Sequence, residues 1–476
     1  MLKIVLLAML LLAGCSEPRG IRIGSKSFTE SVVLGEILCN QLRSRSTPAQ
    51  HRAQLGGTRV LWEALLAGSI DAYPEYTGTI AQEILHQPQL DAAQLAQVLA
   101  EKGIAMTPGL GFNNTYALGL RSDLTRRLGL RKISQLRDHP HLRFGFGHEF
   151  MRRQDGWPRI QSLYDLPQKQ VAGTDHDLAY KALVAGQLDV MDVYTTDAEI
   201  EHYGLTLLED DRAAFPRYDA VVLYRLDQQP TLKAPLEELA GRIDRQTMAR
   251  LNRQVRLEQH SESQVAAGWL GTEQPKTPSI LERLARTTAE HLYLVCISVS
   301  IGSALGLPLG MLCHSCPAAA RPVLGLVGLV QTIPSLALIV CLLPWSGLGA
   351  RTAIMALSLY ALFPIVQATY HGLQSIPVAL RESAAALGLG PTSRWLRVDL
   401  PLALPNIVQG LQTAAVIAVG TATLAALIGA GGYGEPILAG VRLARTDLLL
   451  EGAIPSAILA LLVQAGFARW QRALVR

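Results

Sequence analysis

Glu382 to Pro401 reads ESAAALGLGPTSRWLRVDLP. Glu382, Arg394, Arg397 and Asp399 bring charge back into the chain between two long apolar stretches. A short polar, basic loop between membrane-length apolar segments is what one face of a multi-pass membrane protein presents. Working outward, five apolar spans fall at about 289–313, 322–344, 350–370, 405–429 and 447–468. Each is near the ~20 residues that a helix needs to cross a bilayer core. Residues from about 20 to 280 differ, with charges throughout and the texture of a soluble protein. A chain of 476 residues, 49% hydrophobic and 17% charged, is too long for one typical domain, and the two halves divide it. The net charge of +4 gives no bulk basic field, so nucleic acid is not an expected partner.

Basic residues set the orientation. The loop from Tyr370 to Pro405 carries Arg381, Arg394 and Arg397, and the tail carries Arg469, Arg472 and Arg476. Both belong in the cytoplasm. Five spans that end inside begin outside, which places residues 21–280 on the periplasmic or extracellular side. The N-terminus agrees independently. MLKIVLLAMLLLAGC has one lysine, a short apolar run and small residues before Cys15, the layout of a secretory signal over 1–15. Leu12-Ala13-Gly14-Cys15 also resembles a lipobox, which would put a membrane lipid on Cys15; the alternative is an uncleaved anchor. Arg442 and Arg445 fall on the outer side, against the rule, after the glycine-rich run Gly429 to Pro436.

Within 21–270, short β-rich runs alternate with helical ones. Ile21–Gly24 reads as a strand, and a helix begins at Thr29-Glu30-Ser31. Tyr116 to Leu120 and Ala220 to Tyr224 read as buried strands, so an α/β domain with more than one sheet is expected. The segment 271–288, opening with GTEQPKTP, reads as a linker to a membrane domain over 289–476.

Enzyme chemistry finds no foothold. The dipeptide Gly-Lys never occurs, so there is no phosphate-binding P-loop and no ATPase. His148-Glu149 begins a zinc motif, but position 152 is arginine. Cys313-His314-Ser315-Cys316 has metal or redox spacing with no second pair nearby, and reads as incidental. Beside Cys15 the exported domain has one cysteine, Cys39, and so no disulfide framework. No cofactor or metal is implied, and energy for any transport must come from another chain.

The loop 382–401 resembles the EAA loop of ABC-importer permeases, the cytoplasmic element that docks on the ATPase. That pattern runs E-A-A, three residues, G, nine residues, I, one residue, L-P. Glu382, Ser383, Ala384, Gly388, Val398, Leu400 and Pro401 keep every spacing, with Ser383 and Val398 as mild departures. The exported half resembles binding proteins for glycine betaine, choline and carnitine. The likeness rests on Lys26 to Glu30, Tyr76 to Thr79, Asn113 to Leu118, Arg153 to Gly156 and Phe215 to Tyr218, in order. Glu290-His291-Leu292 and the Gly429–Pro436 run resemble membrane subunits of the same importers. The resemblance implies a two-lobed periplasmic-binding-protein fold, α/β, followed by an all-α permease of about five transmembrane helices.

It also implies a site. A quaternary ammonium has no N–H to donate and is best held against several aromatic faces. By residue matching, Tyr76, Tyr116, Tyr194 and Tyr218 form the cage, and Lys26, Thr79 and Arg153 hold a ligand carboxylate. Any one such tyrosine alone is more often a core residue. The expected partners are a small quaternary ammonium ligand, cytoplasmic ABC ATPase subunits and a second copy of the permease. Ergothioneine or an amino acid as substrate, a ligand-sensing receptor, and an enzyme with an outer catalytic domain are the rivals. Loss of the cage tyrosines would favour an amino acid, and they are present; a receptor would need a cytoplasmic output domain, and an enzyme a catalytic constellation.

Overall fold

A computed structural model describes residues 20–273, 278–443 and 445–475. The signal and lipobox readings, Cys15 included, lie outside the described residues. The chain divides into two compact units, one of residues 19–276 and one formed mainly by 277–476.

The first unit is built on two five-stranded sheets. One has the order β2-β1-β3-β10-β4, with β1 (Ile21–Gly24), β2 (Ala49–Arg52), β3 (Ala72–Tyr76), β4 (Ile104–Met106) and β10 (Ala220–Arg225). The other has the order β7-β6-β8-β5-β9, with β5 (Tyr116–Arg121), β6 (Phe144–Gly147), β7 (Val171–Thr174), β8 (Val190–Tyr194) and β9 (Leu205–Leu207). Each sheet mixes parallel crossover pairs with an antiparallel strand that arrives from the far end of the lobe. The helices that bear on the site are α1 (Thr29–Ser44), α2 (His176–Val184) and α3 (Arg245–Arg256). The expected strands at 21–24, 116–120 and 220–224 are β1, β5 and β10, and the helix at Thr29 is α1.

The chain passes between the lobes twice, before β5 and before β10. These crossings bond to each other: Asn113 and Asp219 form a bridge, Asn114 N–H donates to Tyr218 O at 3.0 Å, and Tyr218 N–H donates to Asn113 Oδ1 at 2.8 Å. Two paired strands at the waist make a hinge about which lobes can rotate.

The second unit is helical: α4 (Ile280–Ser315), α5 (Pro317–Thr332), α6 (Ser335–Ser346), α7 (Ala350–Gln374), α8 (Val378–Ala386), α9 (Leu400–Thr421), α10 (Gly434–Arg442) and α11 (Thr446–Val475). α4 starts inside the segment expected as linker, because Ser279 and Glu282 cap it reciprocally. The second expected span, 322–344, is not one straight helix. α5 and α6 meet at 100°. Pro334 has no N–H to continue the helix and holds Ile333 extended, and the Tyr360 hydroxyl satisfies the freed Ile333 carbonyl.

Helix direction shows that the bent pair crosses once. Gly302, Gly306 and Gly310 of α4 face Ala361, Ile365 and Thr369 of α7, so these two helices run parallel. The segment between them must therefore return. Small residues at every fourth position let the helices approach closely where water supplies no hydrophobic drive. α9 runs antiparallel to α7, with Gly372 against Ala403 and Gly410 against Ala368. α11 closes the set: Arg283 pairs with Glu451 near the start of both α4 and α11, and Gln471 donates to Pro405 O at the other end. Among the described residues, four helices have the length and hydropathy to cross a membrane, and the bent pair taken as one span makes five. Ile280, Gly349 and Ile428 fall at one end, where Gly349 N–H donates to Ile428 O, and the 375–399 loop falls at the other.

Candidate functional site

β1, β3, β6 and β8 all end at the cleft between the lobes, the usual place for ligands in open α/β sheets. β3 delivers Tyr76 as its last residue, and Thr77 to Thr79 turn directly into a short helix. β8 delivers Tyr194 as its last residue, directly opposite Tyr116 at the start of antiparallel β5. Tyr218 lies on the second crossing, and Lys26 follows β1. Of the seven side chains named from the sequence, Tyr76, Tyr116, Tyr218, Lys26, Thr79 and Arg153 are buried and Tyr194 is half-buried.

Tyr116 is the hub of the aromatic group. Its ring centroid lies 5.1 Å from Tyr194 and 5.6 Å from Tyr218, the latter edge-on. Phe28, not singled out in the sequence, joins the fourth ring to the rest, at 6.3 Å from both Tyr76 and Tyr194. Phe150 backs Tyr116 at 5.0 Å. Gly78 makes room for Tyr218, because a Cβ there would lie 2.6 Å from its ring. Burial pushes all four phenols well above their usual range, so they stand as neutral rings with polarised hydroxyls.

The two cations expected for a ligand carboxylate are already paired. Lys26 Nζ lies 2.5 Å from Glu75 Oε1 and 5.7 Å from the Tyr76 centroid. Arg153 holds Asp155 with two parallel hydrogen bonds of 2.8 and 2.7 Å. Its guanidinium stands 5.9 Å from the centroids of both Tyr116 and Tyr218. The Tyr218 hydroxyl donates to the same Asp155. Thr79 is placed one turn beyond Tyr76, on the same strand end.

Two further groups were not marked by sequence reasoning. Glu30, in the first turn of α1, is 3% exposed and accepts four hydrogen bonds at the junction of the lobes. Burial raises its carboxyl above the usual range although the Thr196, Tyr76 and Asn252 donors oppose it. His176 of α2 lies against Tyr194 at 4.9 Å, with Nε2 3.1 Å from Asp197 and Nδ1 3.5 Å from Asp192. Burial lowers its affinity for a proton, but the two carboxylates overcome that and hold the imidazole well above its usual range. Nothing in the local sequence marks either residue, since Glu30 reads as an ordinary first-turn acid.

At the far end of the helical unit, Glu382, Ser383 and Ala384 lie on α8, with Ala384 buried and the other two exposed. Gly388 follows with φ +77, a left-handed conformation that favours glycine, and open space around it. Pro401 begins α9. Arg381 binds Asp399 at 3.1 Å and fastens α8 to the approach of α9. Leu387 is 81% exposed at the tip.

Residues 19–272 match the family described as the substrate binding domain of ABC-type glycine betaine transport systems. Residues 303–476 match the inner membrane component of binding-protein-dependent transport systems. The carnitine transport permease protein OpuCB of Listeria monocytogenes is 40% identical over 177 residues, 37% of this chain and 81% of that protein. The ergothioneine transport permease/ergothioneine binding protein EgtU of Helicobacter pylori is 30% identical over 263 residues, 53% of this chain and 48% of that protein. The crystal structure of a glycine betaine/carnitine/choline ABC transporter matches 53% of this chain and 97% of its own, at 27% identity and TM-score 0.47.

Proposed function

The chain belongs to the ABC-type glycine betaine transport family, with substrate-binding domain and inner-membrane component in one polypeptide, and from that premise we propose that it captures a quaternary ammonium compound and feeds it to its own permease. The observation that carries this reading is the meeting of Tyr76, Tyr116, Tyr194 and Tyr218, with Phe28, at the strand ends between two hinged lobes. Each face contributes roughly 0.5–2 kcal/mol to a desolvated cation, so several together make a site and one does not. Lys26, Thr79 and Arg153 complete it. A ligand carboxylate would have to compete with Glu75 and Asp155 for the two cations, whereas an alcohol such as choline would not.

Glycine betaine, choline and carnitine are the leading substrates. Ergothioneine, a trimethylammonium betaine named for the Helicobacter relative, is the second reading, because that relative also joins binding and permease segments in one chain.

The binding domain, residues 21–270, works on the outer face. Supporting this, Arg381, Arg394, Arg397, Arg469 and Arg472 gather at the end of the helical unit opposite Ile280. Arg283 and Arg286 at the Ile280 end are each matched by Glu451, or by Glu290 and Glu435. ATP hydrolysis falls to a partner chain that docks on α8 and Gly388, where exposed Val378, Leu380, Leu387 and Leu396 offer it apolar surface. A second copy of the permease completes the pathway.

The test is calorimetric titration of the full-length protein in lipid nanodiscs with glycine betaine, choline, carnitine and ergothioneine. Saturable binding of at least one, at one site per chain, is expected. A folded protein that gives no response to any of them would overturn the reading.

A further inference from the structure

Glu30 is a buried acid with four neutral hydrogen-bond donors and, among the described residues, no cationic partner. Its Oε1 accepts from the Tyr76 hydroxyl at 2.6 Å and from Asn114 Nδ2 at 2.9 Å. Its Oε2 accepts from Thr196 Oγ1 at 2.5 Å and from Asn252 Nδ2 at 3.0 Å. The four donors come from the end of β3, the first crossing, the turn after β8 and helix α3, so both lobes contribute. All four are neutral. Among the described residues, no lysine, arginine or histidine nitrogen forms an ion pair with Glu30.

The surrounding charges do not make up the deficit. Lys26 is taken by Glu75, and Arg153 by Asp155. On the turn after β8, Asp197 adds negative charge facing Glu30 and shares His176 with Asp192. On α3, Arg253 pairs with Glu201 and Glu258, Arg256 pairs with Glu199, and Arg245 donates to Thr195 O. A desolvated carboxylate with only dipoles for partners is costly until a cation arrives. One of those dipoles is the hydroxyl of a cage ring. A phenol that donates to a carboxylate gains electron density on its ring, and its face attracts a cation more strongly.

We infer that Glu30 is the counter-ion of the bound ammonium: a specificity-determining residue that acts through the Tyr76 ring and its own field to select ligands carrying a positive charge. The inference rests on the proposed quaternary ammonium site. It separates charge from shape, because the aromatic faces alone would also welcome an uncharged trimethyl group.

The experiment pairs each cation with its carbon isostere, choline with 3,3-dimethylbutan-1-ol and glycine betaine with 3,3-dimethylbutanoate. All are titrated into the full-length protein in nanodiscs. With a charge about one phenol ring away and an effective dielectric near 20, Glu30→Gln should weaken the ammonium ligand by about tenfold or more and leave its isostere within about twofold. Tyr76→Phe, which keeps the ring and cuts the hydroxyl link, should reproduce part of that selective loss. The wild-type protein supplies a readout that needs no variant: as the pH falls through the raised Glu30 value, choline should weaken more than 3,3-dimethylbutan-1-ol, neither of which titrates there. Thermal unfolding of each variant confirms that it is folded. Equal losses for cation and isostere in Glu30→Gln would make Glu30 structural only, and overturn the inference while the cage stands. The same pH response for cation and isostere in the wild type would overturn it likewise. Failure of both cations to bind the folded wild-type protein would overturn the cage reading and the inference with it.

Discussion

Tyr116 is where the cage reading can be pressed hardest. Its ring is 5% exposed and touches Tyr194, Tyr218 and Phe150, with the Arg153 guanidinium 5.9 Å away. Tyr116→Phe keeps that ring and its π face, so affinity for the ammonium ligand should change by less than about threefold. Tyr116→Ala removes one face, worth about 0.5–2 kcal/mol, or roughly two- to thirtyfold in Kd. It also leaves a void among four aromatic neighbours, Phe215 at 6.1 Å being the fourth, and the domain should lose about 3 kcal/mol of stability. Tyr218 gives the contrast. Its hydroxyl donates to Asp155, which is 1% exposed and also holds Arg153. Tyr218→Phe therefore removes a donor from a buried carboxylate, at a cost of about 1–3 kcal/mol, and should weaken binding where Tyr116→Phe does not. The assay is calorimetric Kd with thermal unfolding on the same preparations. Losses at Tyr116→Phe as severe as those at Tyr116→Ala would mean recognition through the hydroxyl, and the cation–π account would fail.

Three other outcomes are expected. Because its two carboxylates raise the His176 pKa above the unfolded value of about 6.5, the cluster's stabilisation is complete below that pH and is lost as pH rises through the folded value; unfolding midpoints of wild type should converge on those of His176→Gln in alkali, and a constant gap would refute this. Gly388→Asp forces a side chain into a backbone at φ +77 on the proposed docking loop, so uptake by cells should vanish while ligand binding stays at the wild-type level; normal uptake by the inserted variant would remove Gly388 from coupling. Gly306→Val places a Cβ 2.9 Å from Ile365 Cγ2 and should lower stability by about 1–3 kcal/mol in detergent unfolding, whereas Gly325→Val, with nothing within 4 Å, should not.

Tyr76, Tyr116 and Tyr218 were legible because each sits in a short motif, Tyr76 and Tyr116 at strand ends and Tyr218 on the second crossing; Tyr194 came only by residue matching. Period and composition likewise gave β1, α1, β5 and β10. The partners of those residues were not legible. Glu30 meets its four donors across sequence separations of 46, 84, 166 and 222 residues, which no local pattern encodes. The same holds for Asp155: it reads as a turn residue until Arg153 and Tyr218 close on it. Phe28 looked like one more apolar residue beside a helix cap. In the helical unit the apolar run 322–344 hid a right-angled break, although Pro334 was in plain view, because hydropathy registers length and not direction. The start of α4 at Ile280 was signalled by Ser279 and Glu282 but masked by the proline-rich stretch just before it.

A structure of the full-length protein with a bound quaternary ammonium ligand tests the central claim most directly. The account predicts the ligand nitrogen within about 6 Å of the ring centroids of Tyr76, Tyr116, Tyr194 and Tyr218, with Phe28 alongside. A cavity of about 470 Å³ lies at the hinge, lined by residues that include Phe112, Thr115, Thr195, Arg217, Asp219 and Arg245. Density for the ligand in that hinge cavity, with the tyrosine cage empty, would contradict the account.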